Sequence, residues 1–197
     1  SEMCIRDSTP TVTTDIYTAD GPSPPLALQL YFDELESLEA AISANGHLQP
    51  LAAPGAWPSL AGTSATQQAM YARHLPVDDP RADGPSCSFL VHYPGPAQDL
   101  NVWLGHYIAS HPPIMRRFPG IRQIEILTRI DWMDAMRFRR VSHMQRNRVV
   151  FDSRDALTAA LQSPVRHELR ADFHEFPPFT GGSFHFPMMT ETIARAR

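Results

Sequence analysis

The chain has 197 residues and a formal net charge of -4, and 43% of its residues are hydrophobic and 19% charged. This composition is typical of a soluble globular protein, and no apolar run approaches the roughly 20 residues of a membrane span. The net charge argues against general nucleic-acid binding. One local basic cluster, which we interpret as a solvated surface, comprises Arg137, Arg139, Arg140, Arg146 and Arg148.

The first eight residues, SEMCIRDS, are similar to a translated sequencing adapter. We interpret residues 1–8 as an artefact and the chain as a fragment of a longer metagenomic protein that was cut within its first domain. A short disordered natural N-terminus is the alternative. If residues 1–8 are an artefact, Cys4 has no functional significance. With Cys87 it shows neither a disulfide framework nor metal-type spacing, which predicts a reducing, cytoplasmic location.

Residues 9–75 have the pattern of a partial α+β unit. A run of strand character at residues 26–32 leads into Asp33, which is expected to cap the helix that follows. Glu36 then falls in the first helical turn, where the exposed N–H groups and the helix dipole favour an acidic side chain. The segment therefore predicts a strand followed by a capped helix.

Turn-forming residues divide the rest of the chain. Pro, Gly, Ala and Asp dominate residues 50–60 and 76–85, which predicts a loop and then a linker between two units. A short strand near residues 67–71 is expected to close the first unit. Residues 86–197 then form a second, complete unit.

The complete unit alternates strand and helix patterns. β-branched, aromatic or alternating sequences predict strands at residues 88–93, 121–130, 145–151 and 183–189. The first helix is expected to run from Asp99 to Pro112-Pro113, and the second to bury Leu157, Ala160 and Leu161. With an irregular insertion at residues 131–142, the order is βαββαβ. This order predicts a ferredoxin-like α+β fold, with both helices on one side of an antiparallel sheet.

The two units look like copies of one repeat. Placing Phe32-Asp33 on Phe151-Asp152 also superposes, without a gap, Leu38 on Leu157 and Ala40-Ala41 on Ala159-Ala160. Asp152 and Asp155 take the places of the helix cap and of the first-turn acid. The fold is thus predicted to be one complete copy plus the C-terminal half of another. Because the second face of the sheet would be bare, we expect a pseudo-dimer between the repeats or a homodimer.

One helix face carries the candidate catalytic residues. Trp103, Tyr107 and His111 follow one another at i, i+4 and i+8, which brings His111 onto the buried face one turn after Tyr107. Imidazole suits proton transfer near neutral pH, so His111 and Tyr107 could act as an acid/base pair or orient a ligand, with Trp103 in contact with it. The alternative is a histidine satisfied by a backbone carbonyl at the end of the helix.

Polar residues on the third strand of the complete unit are candidate substrate-binding groups. His143, Gln145 and Asn147 are predicted to share a face that becomes core further along the strand. Inward polar groups are costly unless satisfied, which favours a ligand pocket or bound water; the alternative is that this end of the sheet emerges into solvent. His92 and His185, on the first and last strands, are further candidates whose face the alternation does not fix.

The spacing of the nine histidines does not indicate a metal site. There is no HExxH motif, and His106 and His111 lie about 140° apart around a helix, so they are expected to point in different directions. We therefore predict neither a metal nor another cofactor.

A resemblance to the EthD domain of the dimeric α+β barrel superfamily is carried by the segments HYPGPAQDLNVWLGHYIASHPPIMRRFPGI and NRVVFDSRDALTAALQSP. Its elements are Trp103, Tyr107, His111, Pro119-Gly120 and Phe151-Asp152. The likeness covers residues 88–195, and the earlier fragment LALQLYFDELESLEAAISANG resembles the late part of a preceding copy. The resemblance implies two sheets that face each other as a barrel, and a pocket between helices and sheet.

The resemblance also implies a set of functions. The family is named after a degradation pathway for a fuel ether, and the superfamily includes cyclases, isomerases, dehydratases and monooxygenases, several of which work without a cofactor. Our first hypothesis is a cofactor-independent lyase, isomerase or cyclase for a small hydrophobic or aromatic substrate, in which His111 moves a proton and Tyr107 or Asn147 polarises the substrate. The alternatives are an oxidoreductase or accessory protein of an oxidative degradation pathway, and a non-catalytic binding or assembly module.

Overall fold

The computed structural model describes residues 2–7, 20–81 and 84–194. Parts of the predicted artefact, first unit, linker and second unit, namely residues 1, 8–19, 82–83 and 195–197, lie outside the described residues. The strands are β1 Glu2–Asp7, β2 Leu26–Leu30, β3 Thr66–Gln67, β4 Met70–Leu75, β5 Ser86–Tyr93, β6 Ile121–Arg129, β7 Arg139–Arg140, β8 Gln145–Phe151 and β9 Phe184–Ala194. The helices are α1 Leu35–Ile42, α2 Leu100–Met115, α3 Arg154–Leu161 and α4 Val165–His174.

A 7-stranded antiparallel sheet has the strand order β2-β1-β9-β5-β8-β6-β4. Its stretch β9-β5-β8-β6 contains the strands of the predicted complete unit, which alternate with helices in the order βαββαβ. This is the ferredoxin-like α+β arrangement, so the predicted fold class is confirmed. Strands β3 and β7 form a separate parallel pair beside it.

The N-terminal part of the chain extends this sheet at both edges. Strand β4 pairs with β6, and β1 joins β2 to β9. Residues Glu2–Asp7 therefore occupy a place in the sheet. Their adapter origin, the division into units at residues 9–75, 76–85 and 86–197, and the pairing of two copies stay predictions.

The sheet curls, so that its two edges approach each other. Gln29 and Tyr31, at the β2 edge, donate hydrogen bonds of 2.9 and 2.6 Å to Glu125 of β6, which lies near the opposite edge. We call the surface inside this curl the inner face. It carries Ser88, Leu90 and His92 of β5, Gln123, Glu125 and Leu127 of β6, and Arg146 and Arg148 of β8.

Helices α2, α3 and α4 cover the opposite surface, which we call the helix face. Alternate residues of β5, from Cys87 to Tyr93, pack there against Trp103 and Tyr107 of α2. The predicted inward residues of the second helix are confirmed, because Leu157, Ala160 and Leu161 are buried in the same cluster. Each fully buried large apolar side chain contributes about 1.5–3 kcal/mol, so this layer is the principal core.

The helix caps differ from the two that were predicted. Asp99 caps α2 by accepting a hydrogen bond from the backbone N–H of Val102 at 3.0 Å. The predicted caps Asp33 and Asp152 are wrong, because Glu34 and Ser153 occupy the capping positions of α1 and α3. Ser153 accepts from Ala156 N–H, whereas the carboxylate of Asp152 accepts from Arg122.

The element bounds agree with the predicted repeat. The shift that places Phe32 on Phe151 carries α1 onto α3 residue for residue, and carries the first residue of β2 onto the first residue of β8. Glu36 and Asp155 lie in the first helical turns, as predicted. This correspondence supports the proposed duplication, which stays a prediction.

Helix α2 was predicted to end at Pro112-Pro113, but it continues to Met115. A proline lacks the N–H donor but keeps its carbonyl acceptor, and the carbonyl of Pro112 accepts from Arg116 N–H at 3.0 Å. One more helical turn therefore forms beyond the prolines.

Several elements differ from their predicted extent. Helix α4 has no counterpart among the predicted elements, and β9 extends beyond residue 189 to Ala194. The strand predicted near residues 67–71 is divided into β3 and β4, and the predicted loop at 50–60 contains two short 3-10 helices. Among the helices of the described ranges, none has the length and apolar character needed to cross a bilayer.

Candidate functional site

The predicted site residues divide between the two faces of the sheet. His92 lies on the inner face, where its ring centroid is 5.1 Å from that of Phe186 and 5.2 Å from that of His143. The remaining candidates lie on the helix face: Trp103, Tyr107, His111, Gln145, Asn147 and His185. The candidates therefore form two neighbourhoods rather than one pocket.

His143 does not share a face with Gln145 and Asn147, so that prediction is wrong. It lies before the first residue of β8, where strand alternation has not begun. The side chain of Gln68 binds its backbone on both sides, accepting from His143 N–H at 3.1 Å and donating to His143 C=O at 2.8 Å. This clamp holds the His143 ring against His92 instead.

The Tyr107 hydroxyl lies at the centre of the helix-face site. Tyr107 is fully buried, and the Asn147 amide donates a hydrogen bond of 2.6 Å to its oxygen. Burial strongly raises the pKa of Tyr107, and the neighbouring Asn147 amide opposes the rise only in part. The phenol therefore stays protonated near neutral pH and keeps a proton that it can donate to a ligand.

Residues next to Tyr107 carry buried polar atoms without hydrogen-bond partners. Within the described part of the chain they are Trp103 Nε1, both amide atoms of Gln145, and Asn147 Oδ1. The Gln145 amide lies close enough to influence the pKa of Tyr107, but it is not in hydrogen-bonding geometry with it. Each unsatisfied buried group costs about 1–3 kcal/mol, so the cluster favours a bound polar molecule.

A histidine–carboxylate pair lies directly beside Tyr107. His111 Nδ1 is 2.6 Å from Asp172 Oδ2, and the His111 and Tyr107 ring centroids are 5.0 Å apart. A carboxylate only accepts, so it fixes the proton of a neutral imidazole on Nδ1 and leaves the Nε2 lone pair basic. Burial lowers the pKa of His111, and the hydrogen bond to Asp172 offsets part of that shift. The ring is therefore neutral near pH 7.

Asp172 and Phe176 belong to this site, and the sequence reasoning missed both. They lie on α4 and just after it, and the signal was the i, i+4, i+8 spacing of Val165, Leu169 and Phe173. The Phe176 ring covers the site, with its centroid 5.1 Å from that of His111 and 5.4–5.5 Å from those of Tyr107 and Trp103.

His106 also lies next to the Phe176 ring. Its ring centroid is 5.8 Å from that of Phe176, and its Nε2 has no hydrogen-bond partner among the described residues. His106 and His111 were expected to point in different directions. The prediction misses that the single ring of Phe176 contacts both imidazoles.

His185 forms a second histidine–carboxylate pair on the helix face. Asp20 accepts from the His185 backbone N–H at 3.1 Å and lies 2.7 Å from its Nδ1, while the ring stacks on Phe89. Burial lowers the pKa of His185, and Asp20 opposes the shift. This pair ties the segment before β2 to the last strand.

A buried ionic network occupies the inner face, where sequence reasoning had placed solvated charge. Arg148 and Glu125 are each 3% exposed, and Arg148 Nη1 lies 3.2 Å from Glu125 Oε1. Arg148 also donates to Ser88 at 3.1 Å and to Gln123 at 3.0 Å. The predicted solvated surface is thus wrong for Arg148, although Arg137, Arg139 and Arg140 are exposed as predicted.

We expect the melting temperature to fall as the pH is lowered from about 7 to about 5.5. Burial lowers the pKa of His111, His185 and His143, the last to about 4 with a contribution from Arg146. The unfolded chain takes up protons at the ordinary histidine pKa, near 6.5, so acid in this window favours unfolding. Thermal melts at constant ionic strength check this, with His143→Gln expected to reduce the slope. A melting temperature that rises toward pH 5.5 would contradict it.

A groove in another part of the molecule lies away from these residues. Its volume is about 430 Å³, and it is lined by Glu36, Glu39, Ala40, Ser43, Ala44, Met133, Asp134 and Ala135. Among the described residues, no group of three or more His, Cys, Asp or Glu side chains is arranged to hold a metal ion.

Comparisons with known proteins give structural likenesses at low identity. No family sequence model matches the chain, and no curated protein matches it. An EthD family protein from Bacillus halodurans is 14% identical with a TM-score of 0.39, over 56% of this chain and 99% of that chain. A major regulator of staphylococcal pathogenesis is 10% identical with a TM-score of 0.42, over 64% and 68%. A proposed monooxygenase from Lactobacillus acidophilus is 10% identical with a TM-score of 0.38, over 60% and 53%.

These likenesses carry no argument about activity. The fold class stands on the strand order and helix placement described above, and the likeness to the EthD family remains a resemblance. Any function has to be argued from the side chains of the site.

Proposed function

We propose that the protein is a small-molecule enzyme of the lyase, isomerase or cyclase type that works by proton transfer with its own side chains. His111 is the general base and acid, Asp172 orients it, and Tyr107 with Asn147 polarises an oxygen of the substrate. The 2.6 Å contact between His111 and Asp172, beside the buried Tyr107 hydroxyl, is the observation that carries this proposal.

The step proposed is abstraction of a proton from a carbon next to a carbonyl group. His111 Nε2 takes the proton, the electrons of the C–H bond move to the carbonyl oxygen, and the Tyr107 hydroxyl donates a hydrogen bond to that oxygen. Return of the proton to another carbon gives an isomerase, and departure of a neighbouring leaving group gives a lyase. Each outcome balances without an external oxidant.

The surroundings favour a small hydrophobic or aromatic substrate. Four aromatic rings line the site, those of Tyr93, Trp103, Phe176 and Phe179. Neighbouring rings in this group have centroids 5.3–6.3 Å apart. Phe176 is only partly buried and follows the end of α4. We propose that its ring swings outward to admit the substrate.

Replacement of Asp172 by Asn tests the orienting role. The probe is nitrobenzisoxazole: a base removes its ring proton, the N–O bond breaks, and a coloured cyano-nitrophenolate forms. We expect Asp172→Asn to slow this reaction about hundredfold, because an amide can donate to Nδ1 and favour the wrong tautomer. Asp172 raises the pKa of His111, so the acid limb of the rate should also move to lower pH.

The matched control for that experiment is His167→Gln, which removes an exposed imidazole from the same helix. It should leave both the rate and the pH profile unchanged. An Asp172→Asn rate equal to that of the control would exclude the dyad from the reaction.

A non-catalytic binding module is the second candidate. The observation that favours it is the burial of the site: Trp103, Tyr107 and Gln145 are each 0% exposed, so solvent does not reach these side chains. A parent protein that binds the probe but does not accelerate its elimination would support binding without catalysis.

A further inference from the structure

Two arginines on the inner face of β8 have opposite surroundings. Arg148 is satisfied by Glu125, Ser88 and Gln123. Arg146, two residues earlier on the same face, has a buried Nε with no hydrogen-bond partner among the described residues. Burial lowers the pKa of Arg146 to about 10. The Arg146 side chain as a whole is partly buried, and no carboxylate of the described residues forms an ion pair with it, so the cost of burying its Nε is not offset at this end of the inner face.

The neighbours of Arg146 make an accessible aromatic surface. His92 and Leu127 flank it on the adjacent strands, and the His92 ring contacts Phe186 edge to face at 5.1 Å. These neighbours are partly exposed, and Phe184 beside them is 39% exposed. At the other end of the same face, the surroundings of Arg148 are closed. The inner face is therefore open toward Arg146.

We propose that Arg146 anchors a second binding site, on the inner face, for a small aromatic carboxylate. A guanidinium presents a planar fork of donors that matches the two oxygens of a carboxylate. The positive charge of Arg146, which has no ion-pair partner among the described residues, balances one monoanion, and the rings of His92, His143 and Phe186 provide an aromatic wall for an aryl group. The proposal does not depend on the helix-face chemistry, since the sheet separates the two sites.

Thermal melts and calorimetric titration with sodium benzoate test this site. Benzoate should bind saturably and raise the melting temperature of the parent protein above that in sodium chloride of equal ionic strength. Arg146→Met should weaken benzoate binding about tenfold or more, because it removes two charge-assisted hydrogen bonds. The variant should itself be about as stable as the parent, since it removes a partly buried charge whose Nε has no hydrogen-bond partner among the described residues.

Arg170→Gln is the matched control, because it removes one exposed positive charge from α4, on the other side of the sheet. It should bind benzoate like the parent. Equal binding by Arg146→Met and Arg170→Gln would overturn the proposal, as would the absence of benzoate binding by the parent. Inorganic phosphate that binds Arg146 more tightly than benzoate would overturn the carboxylate assignment. None of these outcomes bears on the base reaction at His111.

Discussion

Replacing Glu125 by Gln is expected to destabilise the fold by about 3–5 kcal/mol, which is a large part of the stability of a domain of this size. Glu125 is buried and pairs with Arg148 at 3.2 Å, while Gln29 and Tyr31 donate to it. Loss of its charge leaves the Arg148 guanidinium buried without an anion. The free energy of unfolding from urea titration measures the effect.

Two controls separate this effect from general damage. Joint replacement of Glu125 by Leu and Arg148 by Met removes both charges and should recover part of the lost stability: it avoids the desolvation cost of the ions, although the polar side chains that bonded to them each lose one partner. Glu168→Gln breaks the exposed pair with Arg117 and should change stability by only about 0–1 kcal/mol. If Glu125→Gln were as mild as Glu168→Gln, the inner-face network would not be a buried ion pair.

Replacing His111 by Gln is expected to slow the elimination of nitrobenzisoxazole by about a hundredfold to ten-thousandfold, the usual contribution of a positioned general base. Gln fills a similar volume and can still hydrogen bond, but it cannot accept a proton near neutral pH. Burial lowers the pKa of His111, so the rate of the parent should decline only below the ordinary histidine range. Initial rates across a pH series, compared with His167→Gln, make the measurement.

A lower rate of His111→Gln is evidence for a base at His111 only if the variant keeps the parental fold. Near-ultraviolet circular dichroism reports the packing of Trp103 and Tyr107 around the site, and it should match that of the parent. A folded His111→Gln protein with parental rates would remove His111 from the reaction and leave the binding module as the better interpretation.

The fold was predictable where local pattern and tertiary packing agree. The alternation in residues 121–130 predicted a strand, which is β6, and the helical stripe placed His111 in the interior. The start of α2 followed from the apolar periodic run after Asp99. In each case a local sequence pattern is enough to identify the element.

Features that depend on distant parts of the chain were not predictable. Arg148 looked like part of a solvated basic run, because its partner Glu125 lies on another strand and only the folded sheet brings them together. Asp172 could not be assigned to His111 without α4. The clamp by Gln68 that turns His143 away from Gln145 is likewise a contact between residues far apart in the sequence.

Nitrogen-15 NMR of the His111 imidazole near pH 7 tests the central claim most directly, with His111→Gln used to assign the signals. The geometry predicts a neutral ring that carries its proton on Nδ1, bonded to Asp172, with Nε2 unprotonated. A charged ring at that pH, or a neutral ring with its proton on Nε2, would contradict the assignment of a buried base.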